Sequence, residues 1–230
     1  MKTYPCGCTN DTDPVTGADF SVTKCDHHKS KMRETQELGE DYYRELGALN
    51  DGARENYERE FIDGFGHPAF PQPCGSHLAI EIGGGASPYV PLLRNAGWDY
   101  HGFESSQWAV NWTNQQYGQD AASRATITED CGITLPTLAG LVLCAHSLEH
   151  FAKPFAVIDM VATMLEPGGV FYVLVPDGRD DPVNPDHVWF FSPDALTKSL
   201  RRAGFAVEQL VSRQRVAHEK FIYCKARKLS

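Results

Sequence analysis

The chain has no apolar run approaching the roughly 20 residues that a membrane-spanning helix needs, and no apolar segment follows its opening Met-Lys-Thr-Tyr-Pro-Cys. Neither a membrane helix nor a secretory signal is expected, which points to a cytoplasmic protein with no membrane partner. Positive charge is scarce: 21 Lys and Arg stand against 30 Asp and Glu, a net charge of −9. That balance opposes non-specific attraction to nucleic acid and to anionic lipid. The cysteines do not come in pairs, since there are seven. Without an export signal, a disulfide framework is not expected, and reduced thiols or metal ligands remain. Internal repeats and low-complexity segments are also missing.

The 230 residues are 42% hydrophobic and 22% charged, ordinary values for a globular protein. That length suits one α/β domain with a sizeable core and a small appendage, not two equal domains. Charge is unevenly spread: residues 198–230 carry +7 and the remainder −16, so a local basic face is open beside the simpler reading of a solvated helix and hairpin.

Residues 1–29 are turn-rich. Residues 31–62 read as helix, with Leu38, Tyr42, Leu46 and Leu49 on one stripe, a break at Asn50-Asp51-Gly52, and Ala53, Tyr57 and Phe61 resuming it. Gly and Pro crowd residues 63–76, which reads as a linker. Strand and helix signals then alternate: strands at 77–82, 99–104, 125–129, 140–145, 169–175, 205–212 and 219–226, and helices at 88–96, 106–117, 153–165 and 193–203. Such alternation predicts an α/β, Rossmann-like, doubly wound and mostly parallel seven-stranded sheet. The last two strands follow each other without a helix, so an antiparallel C-terminal edge hairpin is expected. The division is then a Cys/His-rich segment at 1–29, a helical cap and linker at 30–75, and the main domain at 76–230.

In a doubly wound sheet, ligands gather beyond the carboxyl ends of the strands. The first strand, Leu78-Ala-Ile-Glu-Ile82, runs into Gly83, Gly84 and Gly85, where the lack of Cβ atoms lets backbone approach a ligand; Glu81 lies two residues before. A helix opening at Pro88 would turn free N–H groups toward the same place. The second strand ends in Glu104, placed where a carboxylate can accept the hydroxyl protons of a ribose. Glu129, Asp130 and Cys131 follow the third. The fourth runs into His146-Ser147-Leu148-Glu149-His150-Phe151, and the fifth is preceded by Leu165-Glu166-Pro167-Gly168-Gly169. Gly-rich turn and acid together would also suit a nicotinamide enzyme. The Leu-Glu-His and Pro-Gly-Gly elements and the terminal strand pair argue against it.

At these residues, and at Phe191-Ser192-Pro193 through Ala203-Gly204-Phe205, the chain resembles class I S-adenosylmethionine-dependent methyltransferases, of the branch with a Leu-Glu-His motif after strand four and a Leu-x-Pro-Gly-Gly turn before strand five. The resemblance covers about 78–226. It implies methyl transfer from S-adenosylmethionine to an O, N, S or C nucleophile. It places Glu81, Gly83 and Gly85 beside the cofactor's methionine part, Glu104 on the ribose, Asp130 and Cys131 by the adenine, and His146 with Ser147 under the sulfonium. The chain departs from the pattern at Ser87, where many members have a third glycine; a serine there can still cap the helix.

The protein's main tasks in such a reaction are alignment and exclusion of water. His150 is the candidate general base. His187, in Asn184-Pro-Asp-His-Val-Trp-Phe-Phe191, lies after strand five with Trp189 and Phe190, lining an acceptor pocket or packing under the sheet. A small-molecule acceptor is favoured by the acidic charge; a nucleic acid or protein acceptor stays open, as does oligomeric state. The alternative is a catalytically inactive module of the same fold that docks a nucleic acid or protein. Finally, Cys6, Cys8, Cys25 and His28 could close one structural Zn2+ site across a hairpin, or the segment could be a loosely ordered tail.

Overall fold

Seven strands form a single sheet in the order β3-β2-β1-β4-β5-β7-β6. The computed structural model describes residues 40–41, 51–66, 70–127, 133, 135–151, 153–178, 187, 189–216 and 219–230. In chain order the elements are α1 (Asp51–Phe65), β1 (Leu78–Ile82), α2 (Val90–Asn95), β2 (Asp99–Glu104), α3 (Gln107–Tyr117), β3 (Ala122–Arg124), β4 (Ala139–Ala145), a single 3-10 turn (Leu148–His150), α4 (Pro154–Met164), β5 (Leu165–Pro176), α5 (Pro193–Arg202), β6 (Phe205–Val216) and β7 (Glu219–Lys228).

The chain enters mid-sheet at β1, works outward through β2 to β3, then returns to β4 on the other side of β1; these strands and β5 pair in parallel. Strand order therefore reverses between β1 and β4, which opens a crevice at their carboxyl ends. β5 pairs antiparallel with β7, and β7 with β6, so the expected terminal hairpin forms one edge.

A strand covered on both faces must be apolar on both, and β4 is buried at all seven positions. Val142 and Cys144 point into one core, with Ile80 and Ile82 of β1, Val157, Ile158 and Val161 of α4, and Leu196 and Leu200 of α5. Leu141 and Leu143 point into the other, with Phe61 and Phe65 of α1, Leu93 of α2, Tyr172 of β5 and Tyr223 of β7. Phe61 packs against Phe65, Phe70, Tyr89 and Tyr172 at ring-centroid distances of 4.3 to 5.6 Å. Helix α1 is thus pinned to the sheet.

Several boundaries differ from the sequence reading. The helix before the Gly/Pro stretch continues to Phe65, because Gly64 serves close packing: a Cβ there would sit 2.0 Å from the Tyr223 ring. The third strand is Ala122–Arg124 and not 125–129. Its position is set by pairing with Gly102, Phe103 and Glu104, and by Asn114 of α3, whose amide bonds both the N–H and the carbonyl of Ala122. Helix α4 stops at Met164, and Leu165 already pairs with Ala139, so Pro167-Gly168-Gly169 falls within the span of β5.

Candidate active site

The crevice is built from the turn after β1. Gly83 lies in the left-handed region at φ +69, and its N–H donates to the Phe103 carbonyl at 2.8 Å, continuing the β1–β2 ladder. A Cβ at Gly83 would stand 2.6 Å from the Ser147 Cβ, so glycine is required for space as well as conformation. Gly85, at φ +54, is held on both sides: its N–H donates to Glu104 Oε2 at 2.9 Å, and its carbonyl accepts from Thr113 Oγ1 of α3 at 3.2 Å. Between them, Gly84 faces the Glu81 carboxyl and the Tyr100 hydroxyl, each 3.2 Å from where its Cβ would be.

Glu104 ends β2 and is buried. Besides Gly85, its carboxylate accepts from the Ser106 N–H at 2.8 Å and the Ser105 hydroxyl at 3.0 Å, both on Oε1. Three donors from two loops fix its rotation, and the turn after β1 is tied to the end of β2 through it.

Glu81 lies inside the loop and is not open to the crevice, being 1% exposed. Its Oε2 accepts from Ser87 Oγ at 2.5 Å and from Tyr100 Oη at 2.7 Å. Burial pushes its carboxyl up to about 7, partly offset by those two hydrogen bonds and reinforced by the charge of Glu104. Ser87 also accepts from the Tyr89 N–H at 3.2 Å. Its role is a bridge from the acid to the next turn. The following helix is shorter than expected: α2 starts at Val90 with proline in its first turn and lacks a side-chain cap, so the loop offers no long helix N-terminus.

At the end of β4, His146 adopts φ +52, uncommon for a residue with a Cβ. Its N–H donates to the Leu174 carbonyl at 2.9 Å. Its ring meets Phe221 edge-on at 5.0 Å and Tyr57 of α1 at 6.0 Å, and Nε2 lies 3.4 Å from the buried Glu60 of α1. Helix α1 thereby meets the turn after β4. Ser147 Oγ donates to the Ile82 carbonyl at 2.8 Å and lies 3.0 Å from Cys144 Sγ. The hydroxyl has one proton, given to Ile82, so Cys144 is the donor of the second bond. Burial raises that thiol to about 12, which keeps the proton on sulfur. Ser147 is therefore a staple between the ends of β1 and β4.

His150 and His187 come together, their rings edge to face with centroids 5.0 Å apart. Glu149, between Leu148 and His150, is 1% exposed, and its Oε1 lies 3.9 Å from His150 Nε2. The chain closes this corner through Trp189, whose N–H donates to the Glu149 carbonyl at 3.1 Å. Trp189 and Phe190 are buried; Trp189 packs into the core against Phe155, whereas the Phe190 ring lies 6.2 Å from that of His187, which meets His150. Asp130 and Cys131 lie outside the described residues, as do Cys6, Cys8, Cys25 and His28.

Sequence reasoning missed Tyr100, Thr113 and Glu149. A signal existed for the first: Tyr100 and Gly102 share a face of β2, and a Cβ at Gly102 would lie 2.6 Å from the Tyr100 hydroxyl, so the glycine clears the phenol's path to Glu81. Thr113 and Glu149 carry no such mark.

A family model of a methyltransferase domain matches residues 54–210. Among curated proteins, one of Mycolicibacterium smegmatis named a probable S-adenosylmethionine-dependent methyltransferase is 26% identical over 142 residues, 59% of this chain. The chain spans about half of that relative's length, 54%. Among solved structures, the 1,6-didemethyltoxoflavin-N1-methyltransferase of Burkholderia thailandensis, with bound 1,6-didemethyltoxoflavin and S-adenosylhomocysteine, superposes with a TM-score of 0.61 at 14% identity over 93% of this chain and 97% of the other. The N-methyltransferase NodS of Bradyrhizobium japonicum, in complex with S-adenosylhomocysteine, gives 0.61 at 15% identity over 89% and 100%. These structural likenesses show the fold. The family match covers more than half of the residues and coincides with the crevice built on Gly83, Gly85 and Glu104: the chain belongs to the class I S-adenosylmethionine-dependent methyltransferases.

Proposed function

We propose that this chain transfers a methyl group from S-adenosylmethionine to a small-molecule acceptor at the carboxyl ends of β1, β2 and β4. One observation carries the reading: the Gly85 N–H and the Glu104 carboxylate, from the turns after neighbouring strands, meet at 2.9 Å beside Gly83, whose missing Cβ lets Ser147 of the turn after β4 pack against the same loop.

The residues present suit the cofactor. A carboxylate offers roughly four acceptor positions, and a ribose hydroxyl can replace the Ser105 hydroxyl on Oε1 while the two backbone N–H groups hold Glu104 in place. The Gly83-Gly84-Gly85 backbone can approach the amino-acid end closely, and His146 and Ser147 stand beside it. S-adenosylmethionine, when bound, supplies a methyl on a sulfonium; the C–S bond breaks with its electron pair left on sulfur as the acceptor's lone pair forms the new bond. The chain's part is alignment and dryness. The Ser147 staple and the Gly85 clamp fix the floor, and α1, docked through Glu60 and Tyr57 against His146, covers one side. His150 and His187 supply imidazole nitrogens on the acceptor side. The acidic net charge favours a small acceptor over a polynucleotide. The S-adenosylhomocysteine in both structural neighbours and the small molecule in one of them support the same reading.

Calorimetry tests it. Wild type is expected to bind S-adenosylhomocysteine, and Glu104→Ala to bind it at least tenfold more weakly, about 1.4 kcal/mol. Absence of binding by the wild type would favour a catalytically inactive docking module.

A further inference from the structure

We propose that Glu149, His150 and His187 form a divalent-cation site at the acceptor end of the crevice. Their ligand atoms, one carboxylate oxygen and two imidazole nitrogens, all lie within 4.8 Å of one another. The Glu149 side chain is buried, and its Oε2 has no hydrogen-bond partner among the described residues. His150 Nε2 at 3.9 Å is an ion-pair distance, too long for a hydrogen bond. A buried carboxylate oxygen with no donor is costly, and natural interiors satisfy or neutralise such groups. Here a bound cation would do so.

The donor set selects the ion. Two imidazoles and one carboxylate suit Zn2+, Co2+ or Fe2+ better than Mg2+, which prefers oxygen ligands. At a metal–ligand distance of about 2.1 Å, tetrahedral neighbours stand about 3.4 Å apart. The Glu149–His150 pair is already near that separation. The ligand atoms of the three residues lie within 4.8 Å of one another, so binding would draw His187 inward to complete the set. Three protein ligands leave at least one open position, as in catalytic sites and not structural ones.

The location gives the site a use, and in this the inference rests on methyl transfer being the reaction. Glu149 and His150 follow two and three residues after Ser147, whose Cβ packs against Gly83 of the loop after β1, so an acceptor hydroxyl or amine held on the open position would face the methyl group. A bound cation lowers the pKa of such a group, and the displaced proton passes to solvent. His150 then acts as a ligand, where the sequence suggested a general base.

Full-length protein is treated with chelator, titrated with Co2+ and followed by visible absorption, with S-adenosylhomocysteine affinity measured on the same samples. The proposal expects one Co2+ in a nitrogen and oxygen environment, without sulfur-to-cobalt charge transfer. Glu149→Gln and His187→Gln should each weaken Co2+ binding at least about tenfold while S-adenosylhomocysteine affinity stays within about twofold. A wild type that binds no Co2+ overturns it, and so does one that shows only sulfur charge transfer, the mark of the Cys6, Cys8, Cys25 and His28 cluster. Variants that bind Co2+ like wild type overturn it too. Loss of S-adenosylhomocysteine binding would reveal a misfolded Glu149→Gln, leaving His187→Gln and the wild-type spectrum to decide. Methyl transfer could fail as a reading with Co2+ still bound, or hold with none bound, so the two failures are separable.

Discussion

Replacing Glu81 by glutamine should change how stability depends on pH. The Glu81 carboxyl is raised from 4.5 to about 7 by burial, so folding favours its protonated form. Between those values the folded chain holds a proton that the unfolded chain releases, and stability must fall as pH rises across the window. Below about 4.5 the group contributes nothing, and above about 7 the cost is complete and constant. At 1.36 kcal/mol per unit, the full penalty is about 3 kcal/mol. Glu81→Gln would keep the geometry, since the amide oxygen it introduces can accept from both Ser87 and Tyr100 as Oε2 does. Urea unfolding of both proteins at about pH 5 and pH 8 reads the effect: the stability of Glu81→Gln relative to wild type should rise by about 2.5 kcal/mol from the lower to the higher pH, the remainder of the penalty being already present at pH 5. All other titrating groups are common to both chains and cancel. A difference that stays flat within about 0.5 kcal/mol would show that Glu81 is not desolvated as the loop geometry requires.

The same loop separates backbone strain from steric exclusion. Gly83→Ala meets both a positive φ and the Ser147 Cβ at 2.6 Å, whereas Gly168→Ala, at φ +80, meets nothing within 4 Å. Gly168→Ala should cost about 1–2 kcal/mol and leave S-adenosylhomocysteine affinity unchanged, while Gly83→Ala, which must also displace Ser147, should cost more and weaken binding in calorimetry; equal effects would contradict the Gly83–Ser147 packing. Phe61→Ala removes a fully buried ring that packs on four aromatic neighbours, and thermal or urea unfolding should register a loss of about 3–5 kcal/mol. A loss below about 1 kcal/mol would mean that α1 is not docked on the sheet as described.

The sheet was legible in the sequence because its strands are bounded by unambiguous punctuation. Leu78–Ile82 ends on three glycines, Ala139–Ala145 is apolar throughout, and the two terminal strands have no helix between them. β3 was not, because Ala122-Ser123-Arg124 has no strand propensity of its own and exists through pairing with β2 and the Asn114 clamp, both distant in sequence. Pro167-Gly168-Gly169 reads as a helix stop, yet the helix has ended by Met164, since Leu165 gains a partner in Ala139. In the site, Gly83, Gly85 and Glu104 were visible as residues at strand ends, where topology concentrates ligands. The inward turn of Glu81 was hidden, because it depends on Tyr100 reaching over Gly102 and on Ser87 folding back. Glu149 was likewise named only as part of a motif; its burial beside two imidazoles is a property of the fold.

A crystal structure of the chain with S-adenosylhomocysteine tests the central claim most directly. The ribose hydroxyls should lie within hydrogen-bonding distance of the Glu104 carboxylate, with the amino-acid end over Gly83 and Gly84 and sulfur facing His146 and Ser147. A ligand bound elsewhere, or Glu104 keeping all three of its own donors while the nucleoside lies beyond its reach, would contradict the account.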